Sequence, residues 1–107
     1  MSENGTYNGW TNNQTWRVAL WLNTDYGLYQ SKTEIVNRVM RGVDESLVDA
    51  FIVGELAAQL ETFVSELFEW CPDSTFVQDF DNPLTDLLIV DWMELADSEI
   101  TDYDFDD

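Results

Sequence analysis

The sequence has no histidine, one cysteine and only four basic residues, and each shortage removes a class of function. Without histidine the nucleophile and base pairs of most hydrolases cannot be assembled, and neither a G-x-S-x-G turn nor a glycine-rich phosphate loop occurs. Cys71 alone can form no internal disulfide and, with no histidine, no zinc site of the usual spacing, so a reducing compartment is expected. Affinity for phosphate comes from Lys and Arg, and four of them are too few for direct nucleic-acid binding. The N-terminus lacks the basic and apolar regions of a secretory signal, and no apolar run reaches the ~18 residues of a membrane span. A cytoplasmic location away from anionic lipid is the expectation.

What is present is a core and a large charge. Hydrophobic residues make up 45% of the 107-residue chain and five are Trp, far more apolar material than a disordered acidic tail carries, so one folded domain is expected. Against it stand 22 Asp and Glu and 4 Lys and Arg, a formal net charge of −18. Small domains stay soluble with a net charge of roughly 2–8, and self-repulsion beyond that destabilises the compact state, so solubility alone does not account for the excess. The charge is also unevenly placed. Arg17, Lys32, Arg38 and Arg41 all lie in residues 1–41, with only Glu3, Asp25 and Glu34 among them; every other acid lies beyond Gly42, where there is no base. The chain divides into a near-neutral Trp-rich part (1–41), an acidic helical part (42–101) and a fraying acidic tail (102–107).

The periodicity is helical almost throughout. Thr11 with Gln14 makes a capping box before Trp16, Val18, Ala19, Leu20, Trp21 and Leu22, which point nearly all round a wheel, and Ser31 with Glu34 makes another before Ile35, Val36, Val39 and Met40. Gly42 suits the position that closes this second helix. From Asp44 to Trp70 the apolar phase changes: Leu47, Val48, Phe51 and Ile52 share one face, and Leu56, Leu60, Phe63, Val64 and Leu67 another, so a break near Gly54 is expected. Cys71-Pro72-Asp73-Ser74 is a turn. Asn82 and Pro83 then open a last helix with Leu84, Leu88, Trp92 and Leu95 inward, although Leu87–Val90 is also compatible with a short buried strand. The expected fold is mainly α, a single compact bundle of four to five helices.

No catalytic site emerges. With 22 carboxylates a close pair arises by chance, so an acid–base pair carries no weight here. The alternating acids at Asp102, Asp104 and Asp106 lack the Gly and the terminal Glu of a calcium loop. No metal, no cofactor and no enzymatic activity are expected. The tryptophans, with Tyr7, Tyr26 and Tyr29, have no basic groove around them and read as core and interface residues, not as a platform for bases.

The charge itself is the remaining candidate. B-DNA carries one charge per ~1.7 Å of axis, so 18 charges correspond to ~31 Å of duplex, and a globule of this length is ~34 Å across. Carboxylates one helical turn apart lie ~5–6 Å from each other, near the phosphate spacing of a strand. The outward acids Glu55, Glu66, Glu69, Asp86, Glu94 and Asp97 are the first candidates for a partner-binding surface, with Asp44, Glu45, Asp49, Asp73, Asp79 and Asp81 behind them.

The segment Trp10–Tyr29, W-T-N-N-Q-T-W-R-V-A-L-W-L-N-T-D-Y-G-L-Y, resembles a signature of small proteins encoded by phages and other mobile elements. The resemblance covers about a fifth of the chain and implies core roles for Trp10, Trp16 and Trp21. In size and charge, though in no motif, the chain is similar to the anti-restriction and anti-CRISPR proteins and the uracil-DNA glycosylase inhibitor. These likenesses imply a DNA-mimicking inhibitor in the host cytoplasm that fills the nucleic-acid channel of a basic partner, a CRISPR effector or a restriction enzyme, as a monomer or homodimer. The alternatives are an acidic adaptor and a domain adapted to high salt.

Overall fold

Five helices of the described residues are started by a short polar side chain, and those caps set the architecture. The computed structural model describes residues 9–71, 73–80 and 83–103. Helix α1 (Asn13–Thr24) is capped by Asn12, whose side-chain Oδ1 accepts from the Thr15 N–H. The expected cap, Thr11, lies one position too early and is engaged elsewhere. Asp25 then ends α1 and starts α2 (Tyr26–Met40) by accepting from the Leu28 N–H. The second helix therefore begins well before Ser31, which lies inside it: one extended residue with an acceptor side chain turns the chain without a glycine or proline. Gly42 closes α2 as expected, at φ +77°, a conformation that side chains disfavour.

After a 3-10 turn at Glu45–Leu47, Asp49 accepts from the Phe51 and Ile52 N–H groups and starts α3 (Ala50–Trp70). This helix is continuous, and the break expected near Gly54 does not occur. Leu47 and Val48 precede the helix, so of the first apolar face only Phe51 and Ile52 belong to it, and Phe51 is 76% exposed. The register follows the longer stripe of Leu56, Ala57, Leu60 and Val64, all buried. A mid-helix glycine costs only about 1 kcal/mol, which that burial outweighs.

Ser74 caps the short α4 (Thr75–Gln78), within the stretch whose structure the sequence leaves open. Pro83 is the first residue of α5 (Pro83–Ile89), while Asn82 and the side chain of Leu84 lie outside the described residues, as do residues 104–107 of the tail. Leu87–Ile89 are helical, and no strand forms among the described residues. The single last helix is instead two, because Val90 turns inward and Asp91 caps α6 (Trp92–Asp102). Leu88, expected inside, is 85% exposed as a result.

Helix α3 packs against both α2 and α6, and α1 joins α2 on one side and α5 and α6 on the other. The centre is aliphatic: Val18, Leu22, Met40, Leu56, Leu60 and Val64 are almost fully buried. Beside it Trp21, Phe68, Phe76 and Phe80 form a chain of edge-to-face rings with centroids 5.3–5.6 Å apart, a favoured aromatic arrangement. The tryptophans do not fill the centre. Trp10 and Trp21 pack against its rim, and Trp16 is half-buried, because indoles are too large to be fully buried in so small a bundle.

The start of α1 is tied to the α5–α6 corner by hydrogen bonds. The fully buried Thr15 hydroxyl donates to Asn12 Oδ1 (2.7 Å) and accepts from the Asp91 N–H (2.8 Å). Asn12 Nδ2 donates to the Ile89 carbonyl (2.9 Å), and the Thr11 N–H to Glu94 Oε1 (2.9 Å). Thr15→Val keeps the shape but orphans the Asp91 N–H, and is expected to lower unfolding stability by about 1–3 kcal/mol in denaturant titrations. Trp92 offers the reverse case. Its buried indole N–H has no acceptor among the described residues, so Trp92→Phe, which removes an unmatched donor together with some apolar area, should change stability by less than about 1 kcal/mol in the same titrations.

Candidate partner-binding surface

The acids expected to face a partner fall into three groups once their neighbours are known. Glu66, Glu69, Asp73 and Asp97 are exposed, with no side-chain partner among the described residues. Glu66 and Glu69 stand one turn apart on α3, and Glu55 shares their face about 16 Å along the axis. Glu55 Oε2 accepts from Gln59 Nε2 (2.9 Å), and Gln59 Oε1 accepts in turn from Arg38 (2.9 Å), so a cation reaches the near end of this ridge.

A second group is exposed and charged but also occupied by the fold. Asp49 caps α3, and Asp44 accepts from the Ser46 N–H and hydroxyl. Asp79 accepts from the Trp21 indole (2.9 Å) and lies 3.8 Å from Arg17 Nε, while its carbonyl takes an Arg17 N–H at 2.7 Å. The third group is half-buried: Asp86 accepts from Gln14 (3.4 Å), and Glu94 from the Thr11 N–H. Asp86 and Glu94 thus serve the α5–α6 corner, a correction to their placement as free outward charges. The side chain of Glu45 and the whole of Asp81 lie outside the described residues.

Several acids matter that the sequence did not single out. Asp91 caps α6, and Glu61 and Asp102 are exposed. Glu99 Oε1 accepts from Lys32 Nζ at 3.0 Å. Lys32 is only 5% exposed; its ammonium also donates to Asn23 Oδ1 (3.0 Å) and lies 4.6 Å from the centre of the Tyr29 ring. Nothing in the local spacing announces this pair, because its members stand 67 positions apart. The bases of the near-neutral part are therefore not a free counter-surface: Arg17 and Lys32 turn inward to acids of the C-terminal part, and Arg38 to Gln59, while Arg41 remains exposed.

Chemically, the side chains that this surface offers are mostly carboxylates. No group of three or more metal-ligating side chains gathers among the described residues, and no helix there is long and apolar enough to cross a membrane. Cys71 is exposed and free.

Fold and surface together define an all-helical domain with a strongly acidic exterior. The chain belongs to a family of unknown function, DUF7249, which matches residues 3–102 and so spans the near-neutral and the acidic parts as one unit. No curated protein and no solved structure matches it.

The Lys32–Glu99 pair gives a test of this arrangement. Lys32→Met leaves the largely buried Glu99 carboxylate without its cation and is expected to lower stability by about 3 kcal/mol. Combining it with Glu99→Leu should recover most of that loss in a thermal or urea denaturation series.

Proposed function

We propose that this domain is a DNA-mimicking inhibitor that occupies the nucleic-acid-binding channel of a host defence complex, a CRISPR effector or a restriction enzyme. The observation that carries the reading is the uncompensated exterior: a net charge of −18 remains while Arg17 and Lys32 are drawn into internal contacts. The long axis of the molecule is 40 Å; a duplex of that length carries ~24 phosphates, against a net 18 negative charges here, about three-quarters of that density. Glu66 and Glu69, on a long helix fixed by its core stripe, present charges at a spacing an Arg and Lys groove built for phosphates accepts. Such a groove also steers the approach of an anionic partner and raises the rate of encounter. Inhibition in this mechanism is simple occupancy, with no covalent step and no cofactor, in the cytoplasm of the host cell.

An acidic adaptor is the second reading, favoured by exposed Leu47, Phe51 and Leu88, apolar side chains that phosphate imitation does not need.

Inhibition of DNA cleavage by purified CRISPR effectors and restriction enzymes, measured with competing duplex across a salt series, tests the proposal. One exposed ion pair is worth about 0.2–1 kcal/mol, so Glu55→Lys, Glu66→Lys, Glu69→Lys or Asp73→Lys alone should weaken inhibition by less than about tenfold. All four together should abolish it while the circular dichroism spectrum is retained. Inhibition that survives the fourfold reversal, or is indifferent to duplex and salt, would remove charge mimicry and leave the adaptor reading.

A further inference from the structure

The first half of α3 and the α5–α6 corner enclose a shallow groove of about 570 Å³. Its floor is Gly54, Ala57 and Ala58, and its wall includes Ile89, Trp92 and Met93. Past Met93 it runs on into a second depression beside Ala50 and Val53. Ile89 is 42% exposed and Met93 46%, and the two meet in this groove, whereas the more exposed Phe51, Leu88 and Trp70 do not line it. Glu61, Asp91, Glu94 and Asp97 line the two depressions and no basic residue does.

Gly54 adds a separate observation. A Cβ placed there meets no atom within 4 Å, so the packing of this chain does not require glycine, yet a glycine inside a helix weakens it by about 1 kcal/mol relative to alanine. Its effect is to leave the floor low enough for another backbone to approach. From Ala50 to Glu61 the floor runs about 16 Å, three turns of helix. On the wheel of α3 it lies about a third of a turn from the ridge of Glu55, Glu66 and Glu69.

We propose that this groove docks an amphipathic helix of a partner protein, with an apolar stripe on Met93, Ile89 and the α3 floor and with Lys or Arg beside Glu61, Asp91, Glu94 and Asp97. Apolar floors with charged rims are how helices are held in grooves. The rim selects the partner's charge: a second copy of this chain would bring four further carboxylates against four. The surface goes beyond phosphate imitation, which uses charge alone, and it stands whether or not the ridge on α3 imitates DNA.

The probe is a synthetic Leu/Lys peptide of about 18 residues, with Leu on one helical face, compared with a scrambled peptide of the same composition by calorimetry at physiological ionic strength. Gly54→Leu fills the floor with a better helix former. Met93→Glu removes apolar surface while adding negative charge, so it separates the two forces. The patterned peptide is expected to bind at least about tenfold tighter than the scrambled one, and each variant to weaken it about tenfold with the melting temperature retained. Lys at Glu66 and Glu69 should leave it in place, so failure of mimicry and failure of this groove are told apart. Equal binding of the two peptides, tighter binding by Met93→Glu, or a homodimer in sedimentation that Gly54→Leu dissolves would each overturn the proposal.

Discussion

The buried Thr15 hydroxyl is the point on which the arrangement of helices depends. It closes the cap of α1 through Asn12 and satisfies the Asp91 N–H at the corner where α5 gives way to α6. That corner is needed because Val90 turns into the core and interrupts the helix, which leaves backbone groups without helical partners. Asn12 takes the Ile89 carbonyl, Thr15 the Asp91 N–H, and Asp91 itself the Glu94 N–H. The two ends of the described chain are thereby joined by directional bonds in addition to apolar contact. A bundle with so much like charge on its outside gains from this, since the repulsion acts on every loosely packed segment.

Seen from this corner, the Trp-rich signature has a different meaning from the one its tryptophans advertise. In W-T-N-N-Q-T-W the residues that reach across the molecule are Thr11, Asn12, Gln14 and Thr15. Trp10 and Trp16 flank them, half-buried. The motif thus works as a hydrogen-bonding clasp, partly buried at Thr15 and exposed at Thr11 and Asn12, built from bonds that are individually modest.

The helical class was legible because burial periodicity is a property of neighbours in sequence: the stripes of α2 and of the second half of α3 repeat every three to four positions. The starts were read less well. Thr11 and Ser31 each had an acid or amide three residues on, but Asn12 and Asp25 hold the caps, and adjacent polar residues cannot be ranked without knowing what else competes for them. Glu94 and Asp91 took Thr11. At Gly54 the change of phase was real, but it marked where an exposed apolar face ends, not where the helix ends. For the surface, Glu55, Glu66, Glu69 and Asp97 are exposed, as their places on the wheel imply, since distance from an apolar stripe is readable on a wheel. Asp79, Asp86 and Glu94 have partners 58 to 83 positions away, and no local pattern records those.

The spending of bases and acids inside the fold has a consequence for how the exterior works. Because Lys32 and Arg17 are tethered at Glu99 and Asp79, neither can swing out to neutralise a nearby carboxylate, as a long flexible cation on an open surface would. Apart from Glu55, which Arg38 reaches through Gln59, the exposed acids of α3 and α6 are therefore screened mainly by salt, over a Debye length of about 8 Å. Glu66 and Glu69 lie within that distance of each other, while Glu55 stands about 16 Å away along the same helix; Glu61, Asp91 and Asp97 border the two depressions of the apolar groove. A ridge of charge alone selects for no more than a row of cations. The groove adds to charge a shape and an apolar floor, and it is there that a partner could be chosen rather than merely attracted.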